Sequence, residues 1–201
     1  MIKIYHVPGT RSLRVIWACE ELKIPYEIEE IPFTPEFRES PEYRKINPVG
    51  KVPAMIDGDL TLFESGAMVQ YLLDRYGEGK LQPKPGTPEY AIYMQWSWFA
   101  EATFARPIGE IANHYRAFGK SGVSEEALEE MRARSRLCLK AVDVEIAGKD
   151  YIMGEFSGAD IMLGYSIFIC ERLAPDPDCK NAAAYWARLQ EREACKVAFD
   201  L

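Results

Sequence analysis

The chain has 201 residues, of which 48% are hydrophobic and 27% charged, and its formal net charge is −7. No basic stretch is interleaved with aromatic residues, so the composition disfavours nucleic-acid binding. No apolar run reaches membrane-spanning length and the N-terminus does not resemble a signal peptide, so we expect no membrane association and a cytoplasmic location. The five cysteines and two histidines are scattered without the spacing of a disulfide framework or a metal site, so we expect no bound metal.

The first seventy-odd residues alternate strand and helix patterns. Ile2–Val7 is β-rich and ends at the turn pair Pro8-Gly9, and Ser12–Leu22 carries apolar residues at helical spacing. Tyr26–Phe33 follows as a second strand. A strand, a helix and a strand this close together predict a right-handed βαβ unit with parallel strands.

The next segment predicts a short helix, a hairpin and a longer helix. Ser40-Pro41 is a helix start, and Asp57-Gly58-Asp59 separates two short apolar runs as a hairpin turn does. A helix is expected from Ser65 to Tyr76. The order βαβαββα predicts a mixed four-stranded sheet with helices packed on it.

The remainder of the chain predicts helices alone. Residues 78–87 are rich in proline and glycine and are expected to link a first domain, 1–77, to an all-helical domain, 88–201. The long first helix of that domain is expected to bend at Pro107. The helix starts are expected at Thr87, Ser124, Ser157 and about Asn181.

The turn between the first strand and the first helix contains two hydroxyls, those of Thr10 and Ser12. Hydroxyls and free N–H groups at a helix N-terminus favour a negative charge, and a thiolate is such a charge. A free thiol is mostly protonated at neutral pH, so a thiol-using enzyme needs such stabilisation. The alternative interpretation is a helix N-cap, for which serine and threonine are common.

Three further motifs have a structural and a functional interpretation. A cis bond before Pro53 would turn the N–H and C=O of Val52 outward to pair with an extended peptide. Glu64 and Ser65 are placed to bind an amino-acid head group, or Ser65 is a helix cap. Ser157-Gly158-Ala159-Asp160 is a capping-box pattern, for which we favour a structural role.

In order and spacing, these motifs resemble the cytosolic glutathione S-transferase superfamily over essentially the whole chain. The resemblance is carried by 10–15, 47–54, 63–65 and 157–160. It implies a thioredoxin-like N-terminal domain, an all-α C-terminal domain and a homodimer. It also implies glutathione as co-substrate and no permanently bound cofactor.

The resemblance also implies residue roles in binding glutathione. The Val52 backbone, beside a cis Pro53, would pair with the cysteinyl part, Glu64 and Ser65 would hold the γ-glutamyl part, and Lys51 would contact the glycyl end. Arg11 would add a positive charge near the thiolate.

The thiol-activating residue is less plainly marked, because related turns carry a serine at position 10 or a cysteine at position 11. Our candidates are Ser12, Thr10 and Tyr5, in that order. The residues expected to line the pocket of the second substrate are Val7, Phe104, Ile108 and Tyr115.

The implied function is a transferase that conjugates the glutathione thiolate to an electrophilic, largely apolar small molecule. Two alternatives stay open on the same fold. One is a non-catalytic binding or regulatory protein, and the other is a specialised glutathione-dependent lyase, dehalogenase or isomerase.

Overall fold

The protein is described from a computed structural model, which covers residues 1–119 and 121–200. The chain divides into two compact units. The first comprises Met1–Gln82 together with the segment from Glu191 onward, and the second comprises Pro83–Gln190.

The first unit is built on a four-stranded sheet in the order β2-β1-β3-β4. β1 pairs with β2 in parallel and with β3 antiparallel, and β3 pairs with β4 antiparallel. The mixed sheet expected of a thioredoxin-like domain is therefore confirmed. Its strands are β1 Ile2–His6, β2 Tyr26–Glu30, β3 Ala54–Asp57 and β4 Leu60–Phe63.

Helices cover both faces of this sheet. The helices within Met1–Gln82 are α1 Ser12–Leu22, α2 Pro35–Arg38, α3 Pro41–Ile46 and α4 Ser65–Tyr76. Because side chains alternate along a strand, Ile4 and His6 of β1 share one face and Tyr5 lies on the other. His6 contacts Ser12 at the start of α1, whereas the Tyr5 ring packs edge-on against Tyr43 of α3, with centroids 6.0 Å apart. Successive residues of β1 thus contact helices on opposite faces of the sheet.

The second unit is helical. Its helices are α5 Pro88–Trp98, α6 Ala105–Phe118, α7 Glu125–Glu145, α8 Gly158–Leu173 and α9 Lys180–Gln190. The start of α8 has the predicted capping box, in which Asp160 accepts from the Ser157 N–H at 2.8 Å. Asp160 also accepts from the Tyr185 hydroxyl at 2.5 Å and is fully buried. The structural interpretation of this motif is confirmed.

A π-helical turn over Phe99–Phe104 lies just before Pro107, the residue at which the bend is expected. Pro107 has no N–H to donate to the carbonyl of Thr103 four residues earlier. That carbonyl accepts instead from the Cys138 thiol at 3.8 Å. The freed carbonyl thus has a partner on α7.

The last helix, α10 Glu193–Phe199, packs on α1 within the first unit. The rings of Trp17 and Phe199 meet edge to face at 5.8 Å. Arg192, at the N-cap of α10, donates through Nε and Nη2 to the two Glu21 carboxylate oxygens at 2.6 and 2.7 Å. An aromatic contact and a bidentate ion pair therefore attach the C-terminal segment to the sheet-containing unit.

This attachment differs from the sequence-based division, which assigned all of 88–201 to the helical domain. The second unit ends at Gln190. Two further helices, α2 Pro35–Arg38 and α10, were not predicted from the sequence; they span only 4 and 7 residues. Neither is long enough to show a helical apolar period, and α10 is held by contacts distant in sequence. The Thr34 cap and Pro35 at the first helical position are the local signals for α2.

Candidate functional site

The turn between β1 and α1 brings Thr10 and Ser12 together. Arg11 holds the N-cap position of α1 and Ser12 is the first residue of the helix. The Thr10 N–H donates to the Val7 carbonyl at 3.2 Å, which closes the turn. The interpretation of Thr10 or Ser12 as the helix N-cap is therefore wrong, and their hydroxyls make other contacts.

Those contacts form a compact polar network. The Ser12 hydroxyl oxygen lies 2.8 Å from His6 Nδ1 and 2.9 Å from Thr10 Oγ1. Thr10 Oγ1 donates to the Val7 carbonyl at 2.8 Å, and Ser12 Oγ lies 3.4 Å from the same carbonyl. Polar atoms of four residues around one turn thus lie within hydrogen-bonding distance of one another.

The residues of this network differ in how far they are buried. Ser12 is fully buried and His6 is 2% exposed, whereas Thr10 is half-buried. Burial lowers the pKa of His6, with Glu30 on the neighbouring strand acting in the opposite direction. A lowered pKa favours the neutral imidazole, and Thr10 is the most exposed of these three residues.

The start of α4 holds a second polar cluster in the same unit. Ser65 is the first residue of α4 and is buried, and its hydroxyl accepts from Arg14 Nη1 at 3.2 Å. Arg14 is fully buried, which is rare for arginine. Because Ser65 accepts this bond, its own O–H is left to donate. The buried Arg14 guanidinium is therefore hydrogen-bonded to the Ser65 hydroxyl at the N-terminus of α4.

Glu64 has an unusual backbone. It occupies the N-cap position of α4 with φ +75° and its side chain is exposed. A non-glycine residue with positive φ carries backbone strain, which is often found where a backbone shape serves a ligand. The helix-cap interpretation of Ser65 is wrong, because Glu64 holds the cap position.

The loop before β3 is fixed by α3. The Val52–Pro53 peptide bond is cis, as the resemblance implies. The Lys51 carbonyl accepts from the Tyr43 hydroxyl at 2.8 Å and from Asn47 Nδ2 at 2.7 Å. The Lys51 side chain is exposed. Two buried polar side chains thereby set the path of the backbone through Lys51 and Val52.

The other predicted site residues are more dispersed. Tyr5 is 7% exposed and lies on the face of β1 opposite His6, so the structure does not bring it to Thr10 and Ser12. Arg11 and Val7 are half-buried beside the turn.

The remaining pocket predictions lie in the second unit. Phe104 and Ile108 are almost fully buried. Tyr115 is half-buried, and its hydroxyl accepts from Arg132 Nη2 at 3.2 Å. The second-substrate pocket stays a prediction.

The protein's own thiols are poor nucleophiles. All five cysteines are buried. Burial raises the pKa of Cys19 in α1 to about 12, and that of Cys195 in α10 to about 12. Because the thiolate is the reactive form, these cysteines are not suited to attack an electrophile at neutral pH.

Sequence reasoning missed three residues that shape the site. His6 was considered only as a metal ligand, although its two-residue spacing from Ile4 marks it as buried beneath α1. Arg14 and Asn47 were not singled out, and a charged or amide side chain inside an otherwise apolar pattern is the signal that points to them.

Neither a cluster of metal ligands nor a membrane-spanning helix occurs among the described residues. Across residues 1–119 and 121–200, no three His, Cys, Asp or Glu side chains are grouped as metal ligands would be. Over the same ranges, no helix combines the length and the apolar character needed to cross a bilayer.

Known proteins are similar to this chain in sequence and fold. The family model for the glutathione S-transferase N-terminal domain matches residues 1–74. Glutathione S-transferase 3 of Schizosaccharomyces pombe is 29% identical over 211 residues, covering 98% of this chain and 86% of the relative. The glutathione S-transferase-like protein OpS6 of Beauveria bassiana is 31% identical over 206 residues, covering 97% and 93%.

A solved structure agrees over the whole length. Glutathione transferase URE2P6 of Phanerochaete chrysosporium, crystallised in complex with oxidized glutathione, superposes with a TM-score of 0.90 at 25% identity. The match covers 99% of this chain and 94% of that one. The chain therefore belongs to the cytosolic glutathione S-transferase superfamily.

Proposed function

We propose that this protein is a glutathione transferase that activates the glutathione thiol at the β1–α1 turn and conjugates it to an electrophilic, largely apolar small molecule. The observation that carries the proposal is Thr10, a half-buried residue in the turn before α1 whose hydroxyl is hydrogen-bonded to Ser12. Thr10 is the most exposed of the three candidate residues, since Ser12 and Tyr5 are buried. We therefore assign the contact with the thiolate to Thr10.

The binding of glutathione is proposed along the first unit. The Ser65 hydroxyl, backed by the buried Arg14 guanidinium, would receive the γ-glutamyl carboxylate, because a charge-assisted hydrogen bond is strongest with a cation close by. The exposed Glu64 carboxylate would pair with the γ-glutamyl ammonium. The Val52 backbone would bind the cysteinyl part and Lys51 the glycyl carboxylate.

The chemistry needs a nucleophile that the chain does not supply. With its cysteines buried and protonated, the attacking sulfur comes from glutathione, which loses its thiol proton to solvent. The α1 N-terminus and the Thr10 hydroxyl stabilise the thiolate, and Arg11 adds a positive charge. The sulfur attacks the electrophilic carbon, the C–S bond forms as the bond to the leaving group breaks, and that group departs as an anion.

The proposal is tested by glutathione binding and by reaction with an aryl halide. We expect retention on immobilised glutathione, a bound thiol pKa below that of free glutathione, and conjugation above the uncatalysed rate. Binding without a lowered thiol pKa and without conjugation would contradict the transferase assignment and favour a binding protein. The homodimer is also a proposal, which light scattering would test.

A further inference from the structure

The His6–Ser12–Thr10 network contains three short contacts that need three hydrogen atoms. These are His6 Nδ1 to Ser12 Oγ at 2.8 Å, Ser12 Oγ to Thr10 Oγ1 at 2.9 Å, and Thr10 Oγ1 to the Val7 carbonyl at 2.8 Å. Each distance is that of a hydrogen bond, and two oxygens this close without a hydrogen between them repel one another. The fourth contact, from Ser12 Oγ to the Val7 carbonyl at 3.4 Å, is longer than a normal hydroxyl hydrogen bond and needs no hydrogen. The positions of the hydrogens in the three short contacts can therefore be deduced by counting.

The Val7 carbonyl can only accept, so the Thr10 hydroxyl donates to it. Thr10 Oγ1 must then accept across its contact with Ser12, which uses the Ser12 hydrogen. Ser12 Oγ has no second hydrogen, so the contact with His6 is filled only if Nδ1 carries one. With the hydrogen on Nε2 instead, two hydroxyl hydrogens would serve three contacts and one contact would be repulsive.

The surroundings of His6 leave the decision to this count. His6 Nε2 is buried and has no hydrogen-bond partner among the described residues. It is therefore an unsatisfied donor in one tautomer and an unsatisfied acceptor in the other, and only the Nε2–H tautomer adds a repulsive contact elsewhere. The charged group on the neighbouring strand is Glu30, which pairs in register with His6. It does not supply an acceptor for Nε2.

We propose that His6 is a positioning residue whose neutral Nδ1–H tautomer orients the Ser12 hydroxyl toward Thr10 and so makes Thr10 the terminal donor to the glutathione thiolate. This inference rests on the proposed function and deepens it. All three donors point the same way, from the buried imidazole to the half-buried threonine. When the thiolate arrives, the Thr10 hydroxyl turns from the Val7 carbonyl to the sulfur while it still accepts from Ser12.

Loss of the His6 donor reverses this order. Ser12 would then be free to accept from Thr10, and Thr10 would present oxygen lone pairs to the sulfur. Hydrogen bonds in series also polarise one another, so an intact network makes the terminal hydroxyl a stronger donor. His6 acts on the thiolate through Ser12 and Thr10 and does not touch it.

The direct test is the tautomer of His6 in the glutathione-free protein, measured by ¹⁵N NMR through the couplings of the ring nitrogens to the ring protons. We expect a protonated Nδ1 and an unprotonated Nε2. A protonated Nε2 with a bare Nδ1 would overturn the proposal. Because no glutathione is present, this result does not depend on whether the protein is a transferase.

The functional test compares two substitutions at one position. His6→Phe keeps the ring volume but removes the donor, whereas His6→Asn retains an N–H close to the position of Nδ1. We expect His6→Phe to raise the bound glutathione thiol pKa by about one unit, which lowers the thiolate fraction about tenfold at pH values below that pKa. We expect His6→Asn to restore most of it. Affinity for S-methylglutathione, which has no thiol, should change in neither variant.

Two results would overturn the inference: an unchanged thiol pKa in His6→Phe, or equal rises in both variants. If His6→Phe does not fold, Ser12→Ala interrupts the same network with a much smaller change, and the same rise in thiol pKa is expected. An unchanged thiol pKa in Ser12→Ala would equally contradict the proposal. Failure of the wild-type protein to lower the thiol pKa would contradict the proposed function, and the tautomer would still decide the direction of the network.

Discussion

Replacement of Thr10 by valine tests the assignment of the activating hydroxyl. Valine matches the shape of threonine but cannot donate a hydrogen bond. A hydrogen bond to a charged group contributes about 1.5–3 kcal/mol, and one pKa unit corresponds to about 1.4 kcal/mol. Because Thr10 is half-buried, water replaces part of the lost bond, so we expect the lower end of the range. The bound thiol pKa should rise by about one unit, with about a tenfold fall in kcat/KM at neutral pH.

The assay is a pH titration of the ultraviolet absorbance of the glutathione thiolate in the protein complex, together with conjugation of an aryl halide. Thr10→Ser is the matched control, because it keeps the hydroxyl, and it should retain the wild-type thiol pKa. Melting temperatures would identify loss of the bond to the Val7 carbonyl as a separate effect on stability. A valine variant with wild-type thiol pKa and wild-type kcat/KM would refute the assignment of Thr10.

Three further predictions concern binding and stability. Ser65→Ala should weaken glutathione binding about tenfold, because a hydrogen bond to a carboxylate is lost, with kcat at saturating glutathione little changed; a changed kcat and an unchanged affinity would contradict the proposed binding of the γ-glutamyl carboxylate by Ser65. Arg192→Met should lower the free energy of unfolding, measured by urea titration, by about 2 kcal/mol. The reason is that it leaves the Glu21 carboxylate, 9% exposed, without its bidentate partner. Lys196→Met, which removes an exposed ion pair, should leave the free energy of unfolding almost unchanged. An equal loss of stability in Lys196→Met and Arg192→Met would refute the argument. The lowered pKa of His6 means that the unfolded chain binds the proton more tightly, so stability is fully present above about pH 6.5 and falls as the pH drops below it, by at most about 1.4 kcal/mol per pH unit. His6→Asn should remove this part of the acid sensitivity, and urea titrations from pH 7 to pH 5 that coincide in slope for both proteins would contradict it.

The sheet and the long helices follow from patterns that lie within a few residues of one another. The β-rich run of β1, the turn at Pro8-Gly9 and the apolar spacing of α1 are local features, and the structure confirms the elements they predict. The capping box that begins α8 is local in the same sense. Such features can be read from one sequence because the hydrogen bonds that form them join neighbours in the chain.

The parts that could not be predicted depend on contacts between distant residues. α10 is held by Glu21 and Trp17, which lie far away in sequence, so no pattern near the C-terminus indicates where it packs. The carbonyl freed by Pro107 has its partner in Cys138 on α7, 35 residues away from Thr103 in sequence. A proline predicts a bend but does not tell how the freed group is satisfied.

In the candidate site, too, local motifs could be predicted from the sequence, whereas burial and contacts between distant residues could not. The turn motif identified Thr10 and Ser12, yet their order as candidates depends on burial, which the turn sequence does not specify. His6 and Ser12 are six residues apart, and their contact arises only because the turn folds the start of α1 back over the end of β1. A role for Ser65 in binding glutathione was predicted, but Arg14, the buried hydrogen-bond partner of Ser65, lies 51 residues earlier in the chain.

The central claim is that the glutathione sulfur is held at the β1–α1 turn. The most direct measurement is a crystal structure of this protein with reduced glutathione bound. We predict the sulfur within hydrogen-bonding reach of Thr10 Oγ1, with the γ-glutamyl carboxylate at the Ser65 hydroxyl. A sulfur nearest to Tyr5, or out of reach of every hydroxyl of the turn, would contradict the account.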